Sequence, residues 1–396
     1  MTMRITRPTA IAMPRQTWAA ATAWWLTLGV ALVTLLSTCT PAAGTSEPVL
    51  TAPQGEPAVP ATNDDENQED APLSERLPGP PLPELNEQPE EPGEAVGPPL
   101  PLALRDDIWL IDTRSPAIGP QFYRYENGGR FAASLGDLLA ASEDGLPLCV
   151  WIHGYQVTPD FAEQMGLAVY EQLRRANRCG PHFRFVIWSW PSEKCGPYRV
   201  DAPRKARQSD VEGYKLAQVI QQLPPRVPVS LLGFSFGART TGATLHFLGG
   251  GRIANMALSD SDPAARPVRA VLLAGALNHD AFSSCGLNSH APQAANRVYV
   301  LVNRRDPVLI AYRHLESFRG QKAMGHTGPV GICSSKDRSL FRICDVSVNV
   351  GFSHCWTRYI YSPEIMRTIT PMVLFADWFK PPQQESEEPL ASVAAE

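Results

Sequence analysis

Gly233-Phe234-Ser235-Phe236-Gly237 is the segment of this chain whose residue types and spacing most directly suggest chemistry. Glycines two positions on either side of a serine permit a sharp, strained turn that lifts the hydroxyl clear of the backbone. A run that reads as a buried strand, Val229–Leu232, comes immediately before it, and a helical stretch from Ala238 to Leu248 follows. A serine held between a strand end and a helix N-terminus is placed for nucleophilic attack on a carbonyl. It then needs a base, a group to orient that base, and donors for the developing oxyanion.

Each has a candidate. His354 follows the last apolar run through Gly351-Phe352-Ser353 and is the expected base, with His326 in Gly325-His326-Thr327-Gly328 as its rival. Asp306, in Asn303-Arg304-Arg305-Asp306-Pro307 just beyond the run Val298–Val302, is the expected acid; Asp262 and Asp280 are weaker alternatives. The order serine, acid, histidine is the one this kind of turn demands. His153-Gly154-Tyr155 follows the run Cys149–Ile152, two strands upstream of the serine. The expected oxyanion donors are therefore the backbone N–H groups of Tyr155 and Phe236. His153 itself reads as a core or turn histidine rather than the base.

The elements that must position these groups follow from periodicity. Seven short apolar runs read as buried strands: Ile108–Asp112, Cys149–Ile152, Phe185–Trp188, Val229–Leu232, Val271–Ala274, Val298–Val302 and Val346–Val350. Between them, Phe161, Met165, Ala168, Val169, Gln172 and Leu173 recur at helical spacing, as do Leu216, Val219, Ile220 and Leu223. Strand alternating with helix predicts an α/β fold with a mostly parallel central sheet flanked by helices, with its ligand beyond the carboxyl ends of the strands. The segment from Ile310 to Ile343 is long enough to form a cap over the site.

Composition divides the 396 residues into four parts. In 1–39, Arg4, Arg7 and Arg15 precede an uncharged apolar run from Trp18 to Leu36, the order of an export signal. Ordinary cleavage, an uncleaved membrane anchor and lipidation at Cys39 all stay open. Leu36-Ser37-Thr38-Cys39 resembles a bacterial lipoprotein signal, though Thr38 stands where a small residue is usual. Residues 40–103 carry thirteen Asp or Glu against Arg76 alone, with many prolines and no aromatic residue, and are expected to be a disordered tether. Residues 104–380 are the expected catalytic domain, and 381–396 an acidic tail.

The formal net charge of -5 therefore describes the tether more than the domain, which is modestly basic in scattered short runs. Nothing in that pattern is a nucleic-acid footprint. Eight cysteines show no zinc spacing, and no metal or other cofactor is expected. In an exported protein some of them are expected to pair, and Cys333 with Cys344 offers a bridge across a loop. Cys149 reads as a small buried hydrophobe.

Together these residues resemble the α/β-hydrolase superfamily, most closely a bacterial lipase- and esterase-like family of unassigned function. The resemblance runs from about Leu104 to Lys380 and includes Trp151–Tyr155, Trp188-Ser-Trp-Pro-Ser192, Tyr198, Asp201, the serine turn, Asp306–Leu309 and Gly351–Trp356. Phe234 is a departure, since relatives often carry a histidine directly before the serine. The resemblance implies the fold and a Ser235-His354-Asp306 triad working through an acyl-enzyme, and leaves the substrate open; with the export signal, the expected function is an exported serine hydrolase cleaving a small-molecule or lipid ester. A non-catalytic envelope protein on the same fold, a peptidase and an acyltransferase remain as alternatives.

Overall fold

The computed structural model describes residues 107–377 apart from 127, 178–181, 261, 264–265 and 315–319, and these fall within one compact unit. The expectations for 1–39, 40–103 and 381–396 lie outside the described residues.

Nine strands form one sheet: β1 Asp107–Asp112, β2 Gln121–Glu126, β3 Gly129–Ala133, β4 Leu148–Ile152, β5 Arg184–Ser189, β6 Val229–Phe234, β7 Val268–Leu273, β8 Arg297–Val302 and β9 Phe341–Asp345. Their order is β3-β2-β1-β5-β4-β6-β7-β8-β9, parallel from β1 through β9, with β2 and β3 antiparallel at one edge. This is the expected α/β fold, a mostly parallel sheet flanked by helices. The central strands β4 to β7 are buried at every position, as continuous apolar runs covered on both faces must be.

Helix Pro159–Ala176 buries Met165, Val169 and Leu173, and Gly166 lets it approach β5 so closely that a Cβ there would lie 2.5 Å from the Ile187 side chain. Phe161, expected on the same buried stripe, is exposed at the helix start. Helices Tyr198–Gln222 and Phe236–Leu248 pack against each other through Gly213 and Ala243. A bidentate ion pair joins them: Arg239 donates from Nε and Nη2 to Asp210 at 2.9 and 2.7 Å, with both residues buried.

The topology reverses at β4. The chain runs from β4 to β5 on one side, then crosses back to place β6 on the other, so the loops leaving β4 and β6 flank the switch point. Ile152 of β4 stands opposite Gly233 of β6, which sets the residues that follow them side by side. Such a crevice is where open α/β sheets bind ligands.

Besides Phe161, two expectations differ from the structure. The last strand is Phe341–Asp345, not Val346–Val350. It is an edge strand with Arg342, Ile343 and Asp345 exposed, so it lacks the apolar run that marks inner strands. The Val-x-Val-x-Val alternation after it is a one-turn helix, Ser347–Val350, whose Ser347 N–H is held by Asp345 Oδ1 at 2.9 Å. Within the segment from Ile310 to Ile343, Ala323 and Met324 are fully buried, and the Met324 N–H bonds to the Leu277 carbonyl at 2.8 Å. Cys333 and Cys344 are free thiols, Cys333 exposed in a loop and Cys344 on the edge strand; Cys149 is buried, as expected.

The Asp210–Arg239 pair generates a test. Burial holds the Asp210 carboxyl above the usual carboxylate range although Arg239 pulls it down. Arg239→Ala leaves that carboxylate buried without its counter-ion and should cost about 3–5 kcal/mol at neutral pH. The loss should shrink as pH falls and Asp210 protonates, because a carboxyl raised in the folded state stabilises on the acid side. Denaturant titrations of Arg239→Ala and of Arg239→Ala with Asp210→Ala check this; equal losses in the two variants at every pH would contradict it.

Candidate active site

Ser235 is the hinge between β6 and helix Phe236–Leu248 and adopts φ 56°, ψ -117°, a left-handed φ unusual for a residue with a side chain. The surrounding backbone enforces it. The Ser235 N–H donates to the Leu273 carbonyl at 2.9 Å, and its own carbonyl accepts from Ala238 and Ala276 at 3.0 and 3.1 Å. The flanking glycines are required by space: a Cβ on Gly237 would lie 2.1 Å from the Ile152 carbonyl oxygen, and one on Gly233 would lie 2.5 Å from that of Gly237. Only a chain without side chains there can turn this tightly against β4.

His354 Nε2 lies 2.9 Å from Ser235 Oγ, and His354 Nδ1 lies 2.7 Å from Asp306 Oδ2. All three residues are buried, Asp306 completely. Asp306 caps helix Pro307–Ala311, its Oδ1 accepting from the Val308 and Leu309 N–H groups at 2.9 and 3.2 Å. With one oxygen engaged by the helix end, the other faces the imidazole in a fixed direction. The sequence-predicted serine, acid and histidine are thus brought together. His326 sits on helix Met324–Thr327, its pKa lowered by burial, and makes no hydrogen bond to Ser235. Neither Asp262 nor Asp280 takes the place of Asp306 on the imidazole.

Phe234 packs its ring 5.3 Å from the His354 ring and 6.1 Å from that of Tyr359. Phe234 therefore forms an apolar wall against the imidazole.

Gly154 lies directly against the serine, since a Cβ on it would stand 3.0 Å from Ser235 Cβ. The His153 ring is buried and fixes the orientation of the next peptide. Its Nε2 accepts from the Trp190 N–H at 3.2 Å and faces Arg114 Nη2 at 3.3 Å, so the proton resides on Nδ1, which donates to the Gly154 carbonyl at 2.9 Å. In a planar trans peptide the N–H points opposite to the C=O, so turning the Gly154 carbonyl toward His153 turns the Tyr155 N–H away from it. Among the described residues neither the Tyr155 nor the Phe236 N–H has an acceptor in the protein. The Tyr155 ring lies 5.9 Å from that of Phe236, and its hydroxyl donates to Asp201 Oδ2 at 2.6 Å. Trp188–Ser192 brace this loop from behind: Trp190 Nε1 donates to the His153 carbonyl at 2.8 Å, and the Ser192 carbonyl accepts from Gln156 at 2.8 Å.

Asn303 was not singled out from sequence. Fully buried, it donates from Nδ2 to the carbonyls of Gly351 and Ser353 at 2.8 and 3.3 Å, and its Oδ1 accepts from the Arg305 N–H at 3.0 Å. One side chain thus ties the acid loop to the histidine loop. The signal was present as an asparagine just past a strand end, two residues before the N–H it holds, which is the spacing of an Asx turn. Arg114 was also missed; it joins Glu193 at 2.6 Å and Ser189 Oγ at 2.9 Å, and nothing in its local sequence announces the distant histidine it meets.

No protein-family model and no curated protein matches the chain. Among solved structures, an uncharacterized protein from Bacillus cereus ATCC 10987 aligns at 14% identity with a TM-score of 0.31, over 60% of this chain and 61% of its own. The match thus spans about three fifths of that protein's length. A cutinase-like protein from Cryptococcus sp. aligns at 12% identity with a TM-score of 0.28, over 58% of this chain and 92% of its own. At these scores the chemistry rests on the geometry above.

Burial, with Arg114 second, pushes the His153 pKa down to about 3 from an ordinary 6.5. As pH falls from 6.5 toward 3 the unfolded chain therefore takes up a proton that the folded chain refuses. Stability is lost over that window at up to about 1.4 kcal/mol per pH unit. His153→Gln should show a correspondingly shallower fall in acid denaturant titrations, and an imidazole signal of His153 titrating near 6.5 in NMR would contradict the assignment.

Proposed function

We propose that this protein is a serine hydrolase that cleaves carboxylic esters, and that it acts outside the cytoplasm. The observation that carries the reading is the pair of contacts at His354, 2.9 Å to Ser235 Oγ and 2.7 Å to Asp306, on a serine held at positive φ. Strain of that kind persists only where the surrounding structure over-determines it, and it is a mark of functional sites.

In the proposed reaction His354 takes the proton from Ser235 as Oγ attacks the ester carbonyl, and Asp306 steadies the resulting imidazolium. The carbonyl oxygen, now negative, receives the Tyr155 and Phe236 N–H groups, which have no competing acceptor among the described residues. His354 returns its proton to the leaving alcohol, which gives the acyl-enzyme on Ser235. Water, deprotonated by the same imidazole, then attacks that acyl carbon, and the acid leaves as the proton passes back to Ser235. Export through 1–39, by cleavage, anchor or lipidation, belongs to the same proposal on the charge and apolar order of that segment.

A fluorophosphonate should label the protein at Ser235, as mapped by mass spectrometry, and Ser235→Ala should abolish the adduct. His354→Ala should slow both labelling and hydrolysis of a short-chain ester by roughly 10²–10⁴-fold. Asp306→Asn should fall toward the upper end of that range, because it loses the charge that steadies the imidazolium. A folded wild-type protein that neither labels nor hydrolyses would instead support a non-catalytic role.

A further inference from the structure

The four most exposed large apolar side chains among the described residues are Val348 at 86%, Phe352 at 81%, Val200 at 70% and Ile118 at 64%. Single exposed apolar residues need no explanation, but these four share one end of the sheet. Ile118 is in the loop that leaves the carboxyl end of β1, and Val200 is in the first turn of the helix that follows β5. Val348 and Phe352 follow β9. Since these strands are parallel, all four lie at the end of the sheet that carries Ser235. Two of them adjoin the site through neighbours in the chain. Phe352 is two residues from His354, and Val200 two from Tyr198, whose ring lies 6.1 Å from that of Tyr155.

Two cations lie beside two of these residues. The Arg305 guanidinium lies 5.8 Å from the Phe352 ring, and exposed Arg199 precedes Val200; neither has a carboxylate partner among the described residues. Glu193 and Asp345 are tied to Arg114 and Arg304 at 2.6 and 3.1 Å, and Asp201, which follows Val200, is buried and accepts from the Tyr155 hydroxyl at 2.6 Å. At Phe352 and Val200 this end therefore presents an exposed apolar side chain beside a cation with no carboxylate partner among the described residues.

We propose that this end of the molecule docks on an anionic lipid surface with the mouth above Ser235 turned toward it. Apolar tips enter the boundary between headgroups and acyl chains, and each arginine adds attraction to anionic headgroups that salt weakens. The docking stands on exposure and charge alone; that a lipid ester is then cleaved rests on the ester-hydrolase reading. A second copy of the chain is the competing occupant.

The full chain carrying Ser235→Ala is compared with and without Phe352→Trp, so that the difference in fluorescence isolates position 352 from the other tryptophans and from any contact made by residues 1–39. With vesicles of brominated phosphatidylcholine containing about 30% phosphatidylglycerol, the added signal should be quenched at least ~2-fold, and far less without the anionic lipid or in high salt. Absence of quenching overturns the proposal, as does a concentration-dependent dimer in sedimentation that Val348→Ser with Phe352→Ser abolishes. With Ser235 restored, Val348→Ser, Phe352→Ser and Arg305→Gln combined should leave turnover of a soluble short-chain ester within ~2-fold while lowering hydrolysis of a vesicle-borne ester ~10-fold or more. Equal rates on the vesicle-borne ester would also overturn it. Quenching in a protein whose wild type hydrolyses no ester supports the docking and removes the ester-hydrolase reading instead.

Discussion

A side chain at left-handed φ costs of order 1–3 kcal/mol, and the chain must hold it there against that cost. Everything around Ser235 serves this constraint. The bend could not be so tight if β4 and β6 were not adjacent in register, because Gly237 is pressed against the Ile152 carbonyl. Nor could it be stable without acceptors and donors for the serine's own backbone, which β7 and its following loop supply through Leu273 and Ala276. The hydroxyl is thereby fixed before any imidazole arrives. The triad is then a matter of delivering His354 to a point that three neighbouring strands have already set.

That delivery depends on buried polar groups, which are costly unless every partner is present. Asn303 meets this condition by satisfying two carbonyls of the histidine loop and one N–H of the acid loop. His153 meets it differently, as a neutral ring whose two nitrogens have opposite tasks. One accepts from β5's following segment and the other orients the peptide beside the serine. Burial first and the Arg114 charge second hold the His153 pKa low, and the neutral ring that results keeps Nε2 able to accept the Trp190 N–H. Burial and function impose the same demand on this histidine.

Much of this architecture was legible in the sequence because the inner strands are buried on both faces and so appear as unbroken apolar runs. Six of the seven expected strands fall on β1 and β4 to β8, and the serine, acid and histidine sit just beyond strand ends or the short segment after one. Edge elements escaped for the complementary physical reason. The β2–β3 hairpin turns at Gly128, φ 85°, and its strands mix buried Phe122 and Tyr125 with Gln121, Arg124 and Glu126, a pattern without an apolar run. β9 is exposed along most of its length, so the apolar alternation after it looked more strand-like than the strand itself. Arg114, and the reach of Asn303 to the histidine loop, were illegible for another reason. Their partners are decided by tertiary contacts 39 to 50 residues away, and no local pattern encodes those.

The contacts of Asn303 also bear on why Phe352 is exposed beside the site. Asn303 draws the carbonyls of Gly351 and Ser353 inward, and Gly351, at φ 69°, supplies the reversal that lets both face one amide. The residue between two inward-facing carbonyls has no room to turn its side chain toward them, so Phe352 projects into solvent. A polar residue would suit that position better if water were its only neighbour. The constraint that carries His354 to the serine therefore also extrudes an aromatic ring two residues away, with Arg305 from the acid loop set beside it. Catalytic geometry and surface character here are two consequences of one buried amide.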